Sequence, residues 1–228
     1  MIPFYVIDLD RTLVNTEKLY EVLELVLERD TDVGTQRLNE ERAAIEANGE
    51  SFVMVNSLRR ILEAANSTVS WQELQRAFIL EAQHTGGVLE PYAAELLQIL
   101  NDRQLPYGII TYGSEAWQLA KIEAAGLMDV PHLVTRIKEK GRLLTGWKHA
   151  GDTFIIPPAM THDFTPLEVD SIVFLDDKAV SFNDMPTGVR GVFVKSPTRE
   201  LLESQRGALP SSVATVVGLN GAIELLFK

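Results

Sequence analysis

The chain contains no cysteine. Disulfides, thiolate zinc sites and cysteine nucleophiles are therefore excluded. Histidine is scarce: His84, His132, His149 and His162 are scattered without the i, i+4 spacing of a helical metal site. They read as surface or partly buried side chains. No stretch approaches the ~20 apolar residues that span a bilayer. The opening MIPFYVIDLD lacks the basic flank of a secretory signal. The expected location is the cytoplasm, with no membrane partner. Basic residues are the minority, 21 Lys and Arg against 32 Asp and Glu, for a net charge of −11. That balance argues against nucleic-acid backbone binding, which needs clustered cations. A small phosphorylated substrate is compatible with it, because a site can be locally positive on an acidic protein. There is no internal repeat and no low-complexity segment.

What is present is an ordinary soluble composition, 46% hydrophobic and 23% charged. A length of 228 residues suits one large domain, or a core plus one insertion. Residues 16–84 read as wholly helical. TEKLYEVLELVLERD spaces Leu19, Val22, Leu23, Val26 and Leu27 along one helical face. Thr35 to Ala47 follows more weakly, then Ser51 to Ala65 and Ser70 to Gln83. Ser70 and Glu73 have the spacing of a capping box. After Gly86 the texture changes to strands alternating with helices. Strands are expected at Tyr107 to Ile110, His132 to Ile137, Ile172 to Leu175, within GVRGVFVKS and at Val213 to Val217. Helices are expected at Pro91 to Arg103, Glu115 to Ala125, within KEKGRLLTGW and at Asn220 to Phe227. Thr153 to Pro166 reads as irregular. The alternation predicts an α/β fold: a doubly wound parallel sheet with an inserted all-helical segment.

Three apolar runs end in polar residues. Phe4 to Ile7 ends at Asp8 and Asp10, Tyr107 to Ile110 at Thr111, and Ile172 to Leu175 at Asp176 and Asp177. One plain reading is that these acids solvate loops or cap helices. In an open parallel sheet, however, ligands bind at the carboxyl ends of strands near a switch in strand order. Carboxylates gathered there repel one another unless a cation intervenes. Mg²⁺ suits carboxylates combined with a phosphate.

At these positions the sequence resembles the haloacid dehalogenase-like (HAD) hydrolases. DLDRTLV is similar to their first motif, usually DxDGT; IITYG to the second; and FLDDKAVSFND to the fourth. The resemblance spans residues 4–16 and about 88–195. It implies a Rossmann-like HAD core at 1–15 and 86–228, and a helical cap at 16–85 that closes over the site and selects the substrate. It implies Asp8 as nucleophile and Asp10 as general acid and base. Thr111 and the backbone N–H groups of Tyr112 and Gly113 would bind phosphate. Mg²⁺ would be held by Asp8, the Asp10 carbonyl and Asp177, with Asp176 acting through water. The third motif is a lysine. Lys138, Lys140 and Lys148 lie in the right interval; Lys140 is preferred because KGRLLTGW looks like a helix start, with Lys148 as the alternative. Arg11 departs from the usual glycine, and either points outward or clamps a phosphate. In the cap, Trp71, Phe52 and Phe78 either line a pocket or pack the bundle.

The implied activity is Mg²⁺-dependent phosphomonoester hydrolysis of a small metabolite, by a monomer or homodimer. The alternatives are a phosphomutase-type reaction and a non-catalytic binding protein of the same fold.

Overall fold

The computed structural model describes residues 2–48, 54–150, 153–201 and 205–228. Contacts divide the chain into two units: Met1–Val14, Leu89–Thr111 and Asp129–Lys228 form one, and Asn15–Val88 with Tyr112–Met128 the other.

The first unit is built on a sheet. Its strands are β1 (Phe4–Ile7), β2 (Tyr107–Tyr112), β3 (His132–Thr135), β6 (Ile172–Asp176), β7 (Val189–Lys195) and β8 (Val213–Val217), in the order β3-β2-β1-β6-β7-β8. The pairs β1–β2, β1–β6, β6–β7 and β7–β8 are all parallel. β1 and β6 are buried along their whole length, which explains the unbroken apolar runs Phe4 to Ile7 and Ile172 to Leu175. The chain leaves β1 toward β2 and β3, then crosses back to β6 on the other side. The order therefore reverses at β1, and a crevice opens at the carboxyl ends of its neighbours.

One face of the sheet packs on Phe4, Val6, Ile110, Phe174, Phe182 and Phe193. The Phe182 ring lies 5.1 Å from Phe174 and 6.2 Å from Phe193. Helices α5 (Ala93–Asp102) and α8 (Gly218–Phe227) contact each other, and Phe227 of α8 stacks on Tyr5 at 5.7 Å.

Thr153 to Pro166 is not irregular throughout, as the sequence had suggested. β4 (Phe154–Ile156) pairs antiparallel with β5 (Leu167–Val169) in a separate two-stranded sheet. Three-residue strands are too short for an alternating pattern to register, and Pro157-Pro158 interrupts the signal. Tertiary packing supplies what periodicity lacks, since Phe154, Ile156 and Met160 are fully buried.

The second unit is helical: α1 (Thr16–Asp30), α2 (Thr35–Asn48), α3 (Met54–Ala64), α4 (Trp71–Thr85) and α6 (Glu115–Ala124). α1 buries Leu19, Val22, Leu23, Val26 and Leu27, the face its spacing predicts. At the start of α4 the capping box forms in both directions. The Glu73 N–H donates to Ser70 Oγ at 3.3 Å, and the Ser70 N–H to Glu73 Oε2 at 2.8 Å. The unit is larger than the expected 16–85 segment because α6 belongs to it. The Trp117 ring of α6 sits 5.4 Å from Phe78, 6.0 Å from Tyr20 and 6.4 Å from Trp71. Trp71 and Phe78 thus pack the bundle; Phe52 lies outside the described residues. Among the described residues, no helix is long and apolar enough to cross a membrane.

Candidate active site

Register alone brings the first two acids together. Ile7 pairs with Leu175, so Asp8 and Asp176 follow side by side, and the Asp8 N–H donates to the Leu175 carbonyl at 2.9 Å. Ile7 also pairs with Ile109, which sets Thr111 near the same edge from the other side. Asp177 comes next after Asp176. Asp8, Asp176 and Asp177 each place a carboxylate oxygen within 4.8 Å of the others, and all three side chains are buried.

One lysine meets this cluster. Lys140 opens the short helix α7 (Lys140–Thr145) and is only 3% exposed. Its Nζ donates to Asp8 Oδ1 and, at 2.7 Å, to Asp176 Oδ2. Gly141 makes this approach possible: a Cβ there would lie 2.3 Å from the Asn183 carbonyl oxygen. Lys148 goes elsewhere, donating to the Thr187 hydroxyl.

The remaining hydrogen bonds leave one oxygen open. Asp8 Oδ2 accepts from the Thr12 hydroxyl at 3.2 Å, and Asp176 Oδ1 from the Lys178 N–H at 2.8 Å. Asp177 Oδ2 accepts from the Gln205 amide, while Asp177 Oδ1 is buried with no hydrogen-bond partner. Among the described residues, the other buried side-chain oxygen in that condition belongs to Asp170, which precedes β6 at the opposite end of the strand. Three buried acids meet here beside Lys140, and burial and mutual repulsion shift the protonation of Asp8 and Asp177. Burial pushes the Asp8 carboxyl up to about 8; Lys140 opposes the rise, and the charges of Asp176 and Asp177 add to it. Burial likewise lifts Asp177 to about 6, against the pull of Lys178 and with the push of Asp176. The Lys140 ammonium is disfavoured by burial, yet Asp176 and Asp8 outweigh that and raise its pKa above the usual lysine value. A hard divalent cation fits such a set: the donors are all oxygen, they converge, and one buried lone pair is unused.

Asp10 is half-buried, and its carboxylate is not one of the acids within that distance. It sits in a tight turn after β1, where the Leu13 and Val14 N–H groups both donate to the Leu9 carbonyl, at 3.0 and 2.9 Å. Arg11 has φ of 61°, the left-handed conformation that a glycine adopts without strain. The backbone therefore keeps the form expected of glycine although the side chain differs. Thr111 is fully buried, Tyr112 closes β2, and Gly113 follows with φ of 153°.

Two side-chain contacts to the acids, from Thr12 and Gln205, escaped the sequence reading. Thr12 lies inside the first motif, four residues from Asp8, so its spacing offered a signal. Gln205 is far along the chain, and nothing local marks it.

No family model matches the chain, and no curated protein matches it in sequence. Solved structures do match. A protein assigned to the haloacid dehalogenase-like hydrolases from Burkholderia xenovorans superposes with a TM-score of 0.65 at 17% identity, covering 99% of this chain and 96% of its own. The fold is that of the HAD-like hydrolases. YfnB from Bacillus subtilis, assigned as a HAD-hydrolase and bound to magnesium, matches with a TM-score of 0.57 at 14% identity, over 99% of this chain and 98% of its own. CbbY from Rhodobacter sphaeroides in complex with phosphate reaches 0.50 at 16% identity, over 95% and 94%. Structures of dehalogenases also share the HAD-like fold, so the fold leaves the reaction open.

Proposed function

We propose that this protein is a Mg²⁺-dependent phosphomonoester hydrolase acting on a small phosphorylated metabolite. One observation carries the reading: three buried carboxylates converge beside Lys140, and Asp177 Oδ1 has no hydrogen-bond partner. Mg²⁺ would be held by Asp8, the Asp10 carbonyl and Asp177 Oδ1, and Asp176, whose oxygens already accept from Lys140 and Lys178, would act through water. When bound, the ion supplies positive charge that offsets repulsion between the nucleophile and an anionic phosphoryl group.

The chain's own groups divide the chemistry. Lys140 favours the ionised form of Asp8, the form that can attack. Asp8 bonds to phosphorus as the bond to the leaving oxygen breaks, and Asp10 protonates that oxygen. Asp10 then takes a proton from water; the water oxygen attacks phosphorus, inorganic phosphate leaves and the Asp8 carboxylate returns. Thr111 and the N–H groups of Tyr112 and Gly113 bind phosphoryl oxygens, and the helical unit selects the substrate. Asp10 also speaks against a dehalogenase, because dehalogenases of this fold do not use an acid two residues after the nucleophile. The magnesium and phosphate complexes of the fold relatives lend support. The protein acts in the cytoplasm, as a monomer or homodimer, without nucleic acid or membrane.

Hydrolysis of p-nitrophenyl phosphate, with and without Mg²⁺, tests the reading. The expected result is Mg²⁺-dependent release of phosphate that Asp8→Asn abolishes. Inactive wild type, or activity surviving Asp8→Asn, refutes it. A panel of phosphorylated metabolites would then identify the substrate, and a rearranged phosphate ester in place of free phosphate would mark a phosphomutase.

A further inference from the structure

Gln205 reaches the acid pair from a segment that no motif includes. Its side chain is buried, and its Nε2 donates to Asp177 Oδ2. The segment is held close: a Cβ on Gly207 would come within 3.0 Å of Ala179 Cβ, at the start of the 3₁₀ turn Ala179–Phe182 that follows the acids.

We propose that Gln205 is a positioning residue, one that pins Asp177 Oδ2 so that Oδ1 is presented to the divalent cation. The inference rests on the metal reading above. A carboxylate turns about one soft torsion, so fixing one oxygen fixes the direction of the other. The choice of amide matters as well. Lysine or arginine at this place would neutralise Asp177 and compete with the cation, as Lys140 already does at Asp8 and Asp176. A neutral donor orients Asp177 and leaves its full negative charge for the metal. Outer groups that orient ligands in this way typically alter metal affinity by about 10- to 100-fold.

The test is calorimetric titration of the metal-free protein with Mg²⁺, in wild type, Gln205→Met, Gln205→Asn and Asp177→Asn. Gln205→Met keeps the length and removes the donor; Gln205→Asn carries the same titration if the first variant fails to fold. Binding is expected about tenfold weaker in the Gln205 variants and lost in Asp177→Asn. The Mg²⁺ dependence of p-nitrophenyl phosphate hydrolysis separates positioning from folding. The half-saturating Mg²⁺ concentration should rise about tenfold, while kcat at saturating Mg²⁺ stays within about threefold of wild type. Gln205 variants that bind Mg²⁺ within twofold of wild type, or more tightly, overturn the proposal and leave the metal reading intact. Wild type that binds no Mg²⁺ overturns the metal reading itself.

Discussion

Lys140→Ala removes the buried ammonium that bonds the buried Asp8 and Asp176. Breaking a buried pair by deleting one partner costs about 3–5 kcal/mol, because the other charge is left uncompensated. Here the loss has a relief valve. The Asp8 carboxyl already stands at about 8, and without Lys140 it rises further, so Asp8 takes up a proton and leaves mainly Asp176 exposed to the loss. The lower end, about 3 kcal/mol, is therefore expected. At about 2–4 °C per kcal/mol for a chain of this size, the melting temperature should fall by about 6–12 °C. Differential scanning fluorimetry in EDTA at pH 7.5 measures it. Saturating Mg²⁺ should return part of the loss, about 2.7 kcal/mol at a hundred times the dissociation constant. The deficit should also shrink at pH 5.5. Asp8 and Asp177 have folded pKa values raised from 3.8 to about 8 and about 6, so the stability tied to each is full below 3.8 and is lost as pH rises through those values. The raised pKa of Lys140 keeps its contribution intact below its ordinary 10.5, so the pH dependence between 5.5 and 8.5 belongs to the acids. A melting temperature within 2 °C of wild type in EDTA would refute the argument, and so would a deficit that grows on acidification.

Asp8→Asn should separate stability from activity. It removes a carboxylate whose ionised form burial and the charges of Asp176 and Asp177 disfavour, so the metal-free variant should melt about 2–8 °C higher at pH 7.5, equivalent to about 1–2 kcal/mol. A lower melting temperature would mean that the Asp8–Lys140 pair outweighs the repulsion. Gly141→Ala would drive a Cβ against the Asn183 carbonyl and to 2.9 Å from Met185 Cγ, and should cost about 1–3 kcal/mol while moving α7 and Lys140 away from Asp8. Its kcat should fall further than that of Gly146→Ala, whose Cβ would meet the Leu143 carbonyl oxygen at 3.2 Å. Equal effects of the two substitutions, read by thermal melts and steady-state kinetics, would sink that account.

The sequence by itself determined what short-range pattern can encode. The 3.6-residue spacing of α1 marked its buried face, Ser70 and Glu73 marked the start of α4, and the apolar runs of β1 and β6 marked strands buried on both sides. The acids at the ends of those runs were legible for the same reason, since a charge ending an apolar strand is conspicuous in one dimension. Tertiary structure alone decided which groups meet. Strand order sets β1 between β2 and β6, and that order depends on hydrogen bonds between residues more than a hundred positions apart. Among three lysines the sequence favours Lys140 only through a helix start; close packing at Gly141 brings it to the acids, while Lys148 reaches Thr187. The β4–β5 pairing, the grouping of α6 with the helical unit through Trp117, and the bond from Gln205 to Asp177 were equally hidden. Each rests on contacts between distant residues, whose energy is realised only when the chain has folded and carries no periodic trace in the local sequence.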